Sequence, residues 1–395
     1  MQNFVFHNPT KIIFGRKTVP SVGSETAALG QKALLVYGQS SIKTSGLYEQ
    51  VMNSLAEAGV TVVEHGGTRS NPLLDHVRQG IAKAKQKKVD VLIAVGGGSV
   101  IDTAKAIAAG SVVEHDVWKF FIGKKSIKAA LPVVTVLTLA AAGSEMNSGM
   151  VITNQETQEK FGFGHRLLYP KVSLLDPEVT FTVPPDYTAY GAVDAIAHVL
   201  EFYMTTEDAD TPVQARLMEG LIQNAMASCE RCLVDPRDYG GRANLMWTAT
   251  LALNGLTGAG LGRVGFPMHM IEHALSALYD VPHGAGLSVV MPGWLQWYKE
   301  QDAARIAQLG RALLPLNTLE EIQGPQRNDL ALAERTIDFL RAWFSKVNSP
   351  VTLAELDIPT EDIPRIADNA LGLAKVWRLD QYTPEIIRDI LQRCV

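Results

Sequence analysis

Apolar positions recur along the first 180 residues in two alternating rhythms. Lys32-Ala33-Leu34-Leu35-Val36-Tyr37-Gly38 is a short apolar run ending in glycine, and Gly46 to Ala58 then places Leu47, Val51 and Leu55 at helical spacing,. Val60 to Glu64 repeats the strand signal, Leu73 to Lys88 the helix signal, and Val89 to Val95 is apolar enough for a central parallel strand,. Further strand-like runs follow at Leu131–Leu137, Met150–Thr153 and Val172–Leu175. Such alternation predicts βαβ units in a doubly wound parallel sheet. Thr182-Val183-Pro184-Pro185-Asp186 is strong punctuation,, and a domain boundary is predicted there, dividing 1–183 from 184–395. Beyond it Tyr187–Met204, Pro212–Ala227, Arg242–Leu256, Ala303–Leu314, Leu330–Lys346 and Pro384–Arg393 read as helices,. The predicted architecture is an α/β domain followed by an all-α domain.

Composition narrows the class of function. The 395 residues are 47% hydrophobic and 19% charged, which excludes disorder and fibrous repeats and suits two domains. With 36 basic against 41 acidic residues the formal charge is −5, so nothing favours nucleic acid or an acidic membrane surface. Polar residues interrupt every apolar segment before it reaches bilayer length, and the first residues lack the basic and apolar regions of a secretory signal,; a cytoplasmic location is expected. Three cysteines, Cys229, Cys232 and Cys394, build no disulfide framework,. The Cys229-x2-Cys232 pair has no second CxxC to complete a zinc site and is read as incidental.

Candidate chemistry gathers in two places. Gly96-Gly97-Gly98-Ser99 follows the most apolar strand and opens a helix. Glycines there let backbone approach a ligand closely, and the free N–H groups of a helix start attract phosphate oxygens, so a pyrophosphate is predicted to sit on this turn. A plain glycine-rich connection is the competing reading. Gly260-x-Gly262-x2-Gly265 spells the dinucleotide fingerprint but lies in the helical half with no strand before it, and is read as a loop. In the second half Asp194 and His198 stand four apart in a helix-like stretch, so both leave the same face one turn apart,. His269 and His273 share that spacing, and His283 follows at a Pro-Gly turn. One acid with several imidazoles suits zinc or ferrous iron and leaves coordination open to a substrate oxygen. Spacing leaves open which of His269 and His273 is the ligand. Taken alone, Asp102 reads as a first-turn helix carboxylate or a ligand contact, and Lys160, in a charged stretch, as a solvated lysine,.

These residues, quoted in order, resemble the iron-containing (group III) alcohol dehydrogenases, in the branch of butanol dehydrogenases and broad-range aldehyde reductases. The resemblance runs nearly end to end: Phe4 to Gly15, Gly96-Gly97-Gly98-Ser99 with Asp102 and Lys105, Gly143 to Asn147, Asp176-Pro177, Gly191-Ala192-Val193-Asp194 with His198, and His269-x3-His273-x9-His283-Gly284. It implies a Rossmann-like N-terminal domain and a helical C-terminal domain of dehydroquinate-synthase-like architecture, with the dinucleotide bound between them. It implies Asp194, His198, His269 and His283 as ligands of one divalent metal, Fe2+ or Zn2+, and His273 as a proton-relay residue beside the nicotinamide. Gly96, Gly97, Gly98 and Ser99 would hold the pyrophosphate, with Asp102, Thr138, Leu139 and Asn147 lining the cofactor cleft.

NAD-preferring relatives place an aspartate where this chain has Gly38, followed by Gln39, Ser40 and Ser41. Ser40 and Ser41, with Lys160 at a position resembling a phosphate-contacting lysine in NADP-using relatives, favour NADP over NAD. Ala142 stands where many relatives carry threonine, and Ala140 where proline is frequent. The activity implied is reversible, NAD(P)-linked interconversion of primary alcohols and aldehydes by a homodimer or larger homo-oligomer. A glycerol dehydrogenase or a dehydroquinate-synthase-like lyase on the same fold is the alternative; a lyase acting on a phosphorylated acid would need lysines and arginines clustered near the metal.

Overall fold

The computed structural model describes residues 1–322 and 328–395. Six parallel strands, β1 (Lys11–Phe14), β2 (Lys32–Tyr37), β3 (Thr61–His65), β4 (Val91–Gly96), β5 (Val133–Leu137) and β8 (Val172–Leu175), form one sheet in the order β1-β8-β5-β4-β2-β3. Between β5 and β8 the chain makes a separate antiparallel hairpin of β6 (Gly149–Asn154) and β7 (Glu159–Gly164). The longer helices are α1 (Leu47–Glu57), α2 (Leu74–Lys87) and α3 (Gly98–Gly110) beside the sheet. After it come α4 (Pro185–Thr205), α5 (Pro212–Val234), α6 (Tyr239–Ala252), α7 (Pro267–Tyr279), α8 (His283–Leu313), α9 (Asp329–Lys346), α10 (Ile363–Trp377) and α11 (Pro384–Gln392). Among the described residues no strand follows Leu175.

The alternation of side chains along each strand explains why both faces are covered. Leu34, Val36, Leu92 and Ala94 point to one side and pack with Val77, Ile101 and Ile107 of α2 and α3. Leu35, Ile93 and Val95 point to the other, against Val51 and Leu55 of α1. Strands buried on both faces read as continuous apolar runs, which is what made β2 and β4 visible in the sequence. The first of these cores continues through α4, α7 and α8 to Ile390, so the sheet and the helical half share one apolar interior.

The chain leaves β2 for β3 on one side and returns to β4 on the other. That reversal opens a crevice at the carboxyl ends of β2 and β4, the usual place for a ligand in such sheets. Tyr37 and Val95 are register partners, so Gly38 and Gly96 stand next to one another at its mouth.

Met150–Thr153 is a strand as expected, part of β6, which pairs with β7 outside the main sheet. The helix expected from Ala303 is the second limb of α8, which begins twenty residues earlier at His283 and breaks at Asp302, where φ is −147° and ψ 72°. Helix α10 was not anticipated, and neither were β1 and β7. The Gly260–Gly265 segment is a loop: Gly260 and Gly262 have φ of 77° and 74°, and Gly260 accepts a hydrogen bond from the backbone N–H of Gln2 at 2.9 Å. Cys229 and Cys232 lie buried in α5, where burial pushes their thiols up to about 12 and about 11. No helix among the described residues is long and apolar enough to cross a membrane.

Candidate active site

One cleft of about 490 Å³ runs from the start of α3 to the helical half. At its α3 end Gly97 is the N-cap, with extended backbone, and Gly98 and Ser99 line the wall. No side chain caps this helix, which leaves its first N–H groups to a ligand. The glycines are demanded by contact as well. A Cβ on Gly98 would lie 2.9 Å from Cβ of Ala142, and one on Gly97 3.2 Å from Cβ of Leu139, so the 138–142 segment rests directly on the turn. Thr138 donates its backbone N–H to Gly96 at 3.1 Å. Leu139 and Asn147 line the cleft, whereas Thr138, Gly38, Ser40 and Ser41 are outside its lining, Ser40 and Ser41 being exposed at the end of β2.

Asp102 lines the cleft, but its carboxylate is already engaged, accepting from Ser144 Oγ at 2.6 Å and from the Val151 N–H at 2.9 Å. Burial raises its pKa against the pull of Lys105. Lys105, fully buried and pushed down to about 8 by burial, donates to Ser144 Oγ at 2.9 Å, to the Asn147 carbonyl at 2.9 Å and to Gly149 O at 2.8 Å. Asn147 Oδ1 in turn accepts from the Gly149 N–H at 2.8 Å. These groups brace the 142–149 loop over the cleft.

The other end of the cleft is built by three helices. Helix α4 brings Asp194 and His198, α7 brings His269 and His273, and the first residue of α8 is His283. Close approach is again secured by glycine: a Cβ on Gly191 would stand 2.1 Å from Ala140 O, and one on Gly284 2.2 Å from Tyr190 O. Asp194 Oδ1 lies 3.4 Å from His198 Nδ1, 3.8 Å from His269 Nε2 and 3.7 Å from His283 Nε2. Ligand atoms about 2.0–2.2 Å from a tetrahedral ion stand roughly 3.3–3.6 Å apart; Asp194, His198 and His269 gather as a metal site would, and His283 stands beside the same carboxylate oxygen. Asp194 Oδ1, His198 Nδ1 and His269 Nε2 are buried with no hydrogen-bond partner, an arrangement that costs free energy unless an ion completes it. Protonation fits the same reading. Burial opposes charge throughout, yet the imidazoles of His198, His269 and His283 hold the Asp194 carboxyl below its usual range. Burial, with His269 and His283, drives His198 down to about 3. Against burial, Asp194 and Glu201 lift His269 to about 9. The carboxylates on either side of His269 therefore favour a positive charge there, whether a proton or a metal ion,.

Two buried carboxylates that sequence reasoning missed aim the rings of His269 and His283. Glu201 Oε1 accepts from His269 Nδ1 at 3.1 Å and from the His269 N–H at 2.8 Å, and Glu272 Oε2 accepts from His283 Nδ1. Each fixes the tautomer that presents Nε2 to the cluster centre. Each acid stands three residues after a histidine of its helix, the only trace of it in the sequence. A Glu201→Gln protein should fold and bind metal about 10–100-fold more weakly, read by competition with a chromophoric chelator; unchanged affinity would remove Glu201 from this role.

His273 is buried against Trp377, ring centroids 5.5 Å apart. Its Nδ1 lies 3.1 Å from the backbone carbonyl of Lys160 and must donate there, which leaves Nε2 as the group able to accept a proton. Burial, then the charge of Lys160, keeps the ring well below its ordinary pKa. The solvated reading of Lys160 is corrected: it is 5% exposed. Its ammonium donates to Asn71 Oδ1 at 2.9 Å and lies 3.3 Å from His283 Nδ1 and 3.5 Å from Glu272 Oε2. It is held at the metal end, so a part in reading the 2′-phosphate has no support. Glu272, His273 and His283 also cluster as a metal site would, but Lys160 already supplies their cation. Lys160 is the one lysine or arginine among the described residues lining the cleft; Arg263 turns outward to the carbonyl of Arg378. The basic cluster that a phosphorylated acid would need is missing from this lining.

Residues 9–177 match the family described as iron-containing alcohol dehydrogenase, and residues 188–395 its C-terminal part. The chain belongs to the iron-containing alcohol dehydrogenase family. It is 42% identical over 392 residues, 99% of both chains, to a protein of Bacillus subtilis named probable NADH-dependent butanol dehydrogenase 1. To the NADPH-dependent aldehyde reductase YqhD of Escherichia coli it is 35% identical, over 93% of this chain and 92% of that one. The crystal structure of an NADH-dependent butanol dehydrogenase A from Thermotoga maritima superposes with a TM-score of 0.94 at 42% identity, covering 100% of this chain and 99% of that one. As a member of this family the enzyme is a metal-dependent, NAD(P)-linked oxidoreductase that interconverts alcohols and aldehydes. The comparisons favour neither the lyase nor the glycerol dehydrogenase alternative.

Proposed function

We propose that the enzyme interconverts short, unbranched primary alcohols and their aldehydes with NADP(H) in preference to NAD(H). The residues 1–183 would supply the cofactor wall and 184–395 the metal and substrate wall. The observation that carries the reading is the orphaned set Asp194 Oδ1, His198 Nδ1 and His269 Nε2, facing the same cleft that opens on the Gly97–Ser99 turn. Asp194, His198, His269 and His283 would hold one divalent ion, iron or zinc, which supplies Lewis-acid polarisation of the substrate oxygen while the nicotinamide exchanges the hydride.

The chain's own residues do the rest. Gly98 and Ser99 bind the pyrophosphate with Leu139 and Asn147 alongside, and Asp102 holds the covering loop through Ser144. Val151, Phe266, Trp377 and Leu379 line the cleft and exclude water from the reacting atoms with an apolar wall suited to a hydrocarbon tail. His273, through Nε2, accepts the proton released on alcohol oxidation and returns it on aldehyde reduction.

The cofactor preference is supported by the β2 corner, where Gly38 to Gly46 contain no carboxylate to repel a 2′-phosphate. The relatives' names include both NADH- and NADPH-dependent enzymes. In an assay of Fe2+- or Zn2+-reconstituted enzyme over a C2–C6 aldehyde series, NADPH should give a higher kcat/KM than NADH, with butanal among the better substrates. Equal or better use of NADH overturns the cofactor reading, and no consumption of either cofactor overturns the activity. Assembly into a homo-oligomer is supported by Phe4, Val5 and Phe6, all exposed on the N-terminal arm,, and sedimentation of the purified enzyme reads it. A cytoplasmic location stays part of this reading.

A further inference from the structure

The segment after β3, residues 66–73, runs from the end of β2 to the cleft, which Ser70, Asn71 and Pro72 line. At one end Gly67 donates its N–H to Gly38 O at 2.8 Å and Thr68 to Tyr37 O at 3.2 Å, beside the corner where the cofactor would enter. At the other, Asn71 reaches the turn that carries His283. Its Nδ2 donates to Asp280 Oδ1 at 3.0 Å and to Val281 O at 3.1 Å, and its Oδ1 accepts from Lys160 Nζ at 2.9 Å. Only one orientation of the amide meets a carboxylate and a carbonyl with N–H groups and an ammonium with oxygen. Asn71 is 5% exposed, lines the cleft, and has φ of 50°, in the left-handed region that asparagine tolerates better than most residues.

A buried residue in a rare backbone conformation, with all its polar groups spent across two halves of the molecule, is there for position. The neighbouring contact is different in kind: Arg69 pairs with Asp280 at 2.7 Å, but both side chains are at least half exposed, so that pair contributes little.

We infer that Asn71 is a positioning residue that ties the Asp280–His283 turn to the cofactor cleft, so that occupation of the cleft tightens metal binding through His283. The inference rests on the metal and cofactor assignments above. Asn71 fixes the turn through Asp280 and Val281, and holds Lys160 toward Glu272, which orients His283 from its other nitrogen. Residues 70–72 line the cleft, so a cofactor seated against them would bear on this tether, and the linkage is reciprocal: metal must tighten the cofactor by the same factor.

The test measures Zn2+ affinity by chelator competition, with and without a saturating amount of whichever of NADPH and NADH has the lower KM. It compares the unaltered enzyme with Asn71→Gly and Arg69→Ala. Glycine accepts φ of 50° without strain, so Asn71→Gly removes the amide and keeps the backbone. The unaltered enzyme should bind Zn2+ about 5-fold or more tightly with cofactor present. Asn71→Gly should bind Zn2+ roughly 10-fold more weakly and lose most of the cofactor effect, and Arg69→Ala should keep both within about 2-fold. A cofactor effect that survives intact in Asn71→Gly, that is absent from the unaltered enzyme, or that is lost equally in Arg69→Ala overturns the inference. Failure of the unaltered enzyme to bind Zn2+ at all is a separate result, and overturns the metal assignment itself.

Discussion

An Asp194→Asn enzyme should keep its fold and lose its metal. The substitution preserves size, but it removes the carboxylate that His198, His269 and His283 share at 3.4–3.8 Å and with it a negative charge at the cluster's centre. Lewis-acid stabilisation of several kcal/mol, about 4, corresponds to roughly a thousandfold in rate. Metal content by mass spectrometry should fall to a small fraction of one ion per chain, and kcat/KM by on the order of a thousandfold, with the circular dichroism spectrum unchanged. A variant with a full complement of metal and near-normal turnover would show that these side chains are not the site.

Replacing His273 by alanine should separate chemistry from binding. Its one side-chain hydrogen bond is from Nδ1 to Lys160 O, so its removal leaves the bonds of Glu201 to His269 and of Glu272 to His283 intact. Loss of a positioned general acid–base group lowers turnover about a hundredfold or more. We expect kcat to fall by that amount with metal content and cofactor KM within about twofold, and the pH dependence of kcat to change shape. Full turnover with an unaltered pH profile would assign proton transfer elsewhere.

Much of this was legible before any coordinates. The strands β2 and β4 announce themselves because both faces are buried, and the glycine turn follows β4 because backbone must approach backbone there. Asp194 and His198 are visible as polar residues one turn apart in an apolar helix. What could not be read has common causes. A four-residue apolar run such as Met150–Thr153 reads as a strand but does not say which strand it pairs with. Strand β7, Glu-Lys-Phe-Gly-Phe-Gly, opens on two charges and is broken by glycines, which hid both the strand and the burial of Lys160. Helix α10 has clear apolar spacing at Ile363, Ile366, Ala370 and Leu373, but Pro364 after two acids reads as a loop. Asn71 sits in a polar stretch that has every mark of an ordinary turn, and only the fold shows what its amide holds. Glu201 and Glu272 left a spacing trace whose meaning depends on which ring nitrogen each carboxylate meets.

The four proposed ligands come from α4, α7 and the first residue of α8, so a single ion would clasp three helices whose starts span nearly a hundred residues of chain. Its binding energy would then also be folding energy. An ion held at a thousand times its dissociation constant adds about 4 kcal/mol to resistance against unfolding, a large part of what a domain possesses. Metal starvation would leave the cell with protein that is idle and also easier to melt and degrade, so supply of the ion would govern how long each molecule lasts as well as whether it works.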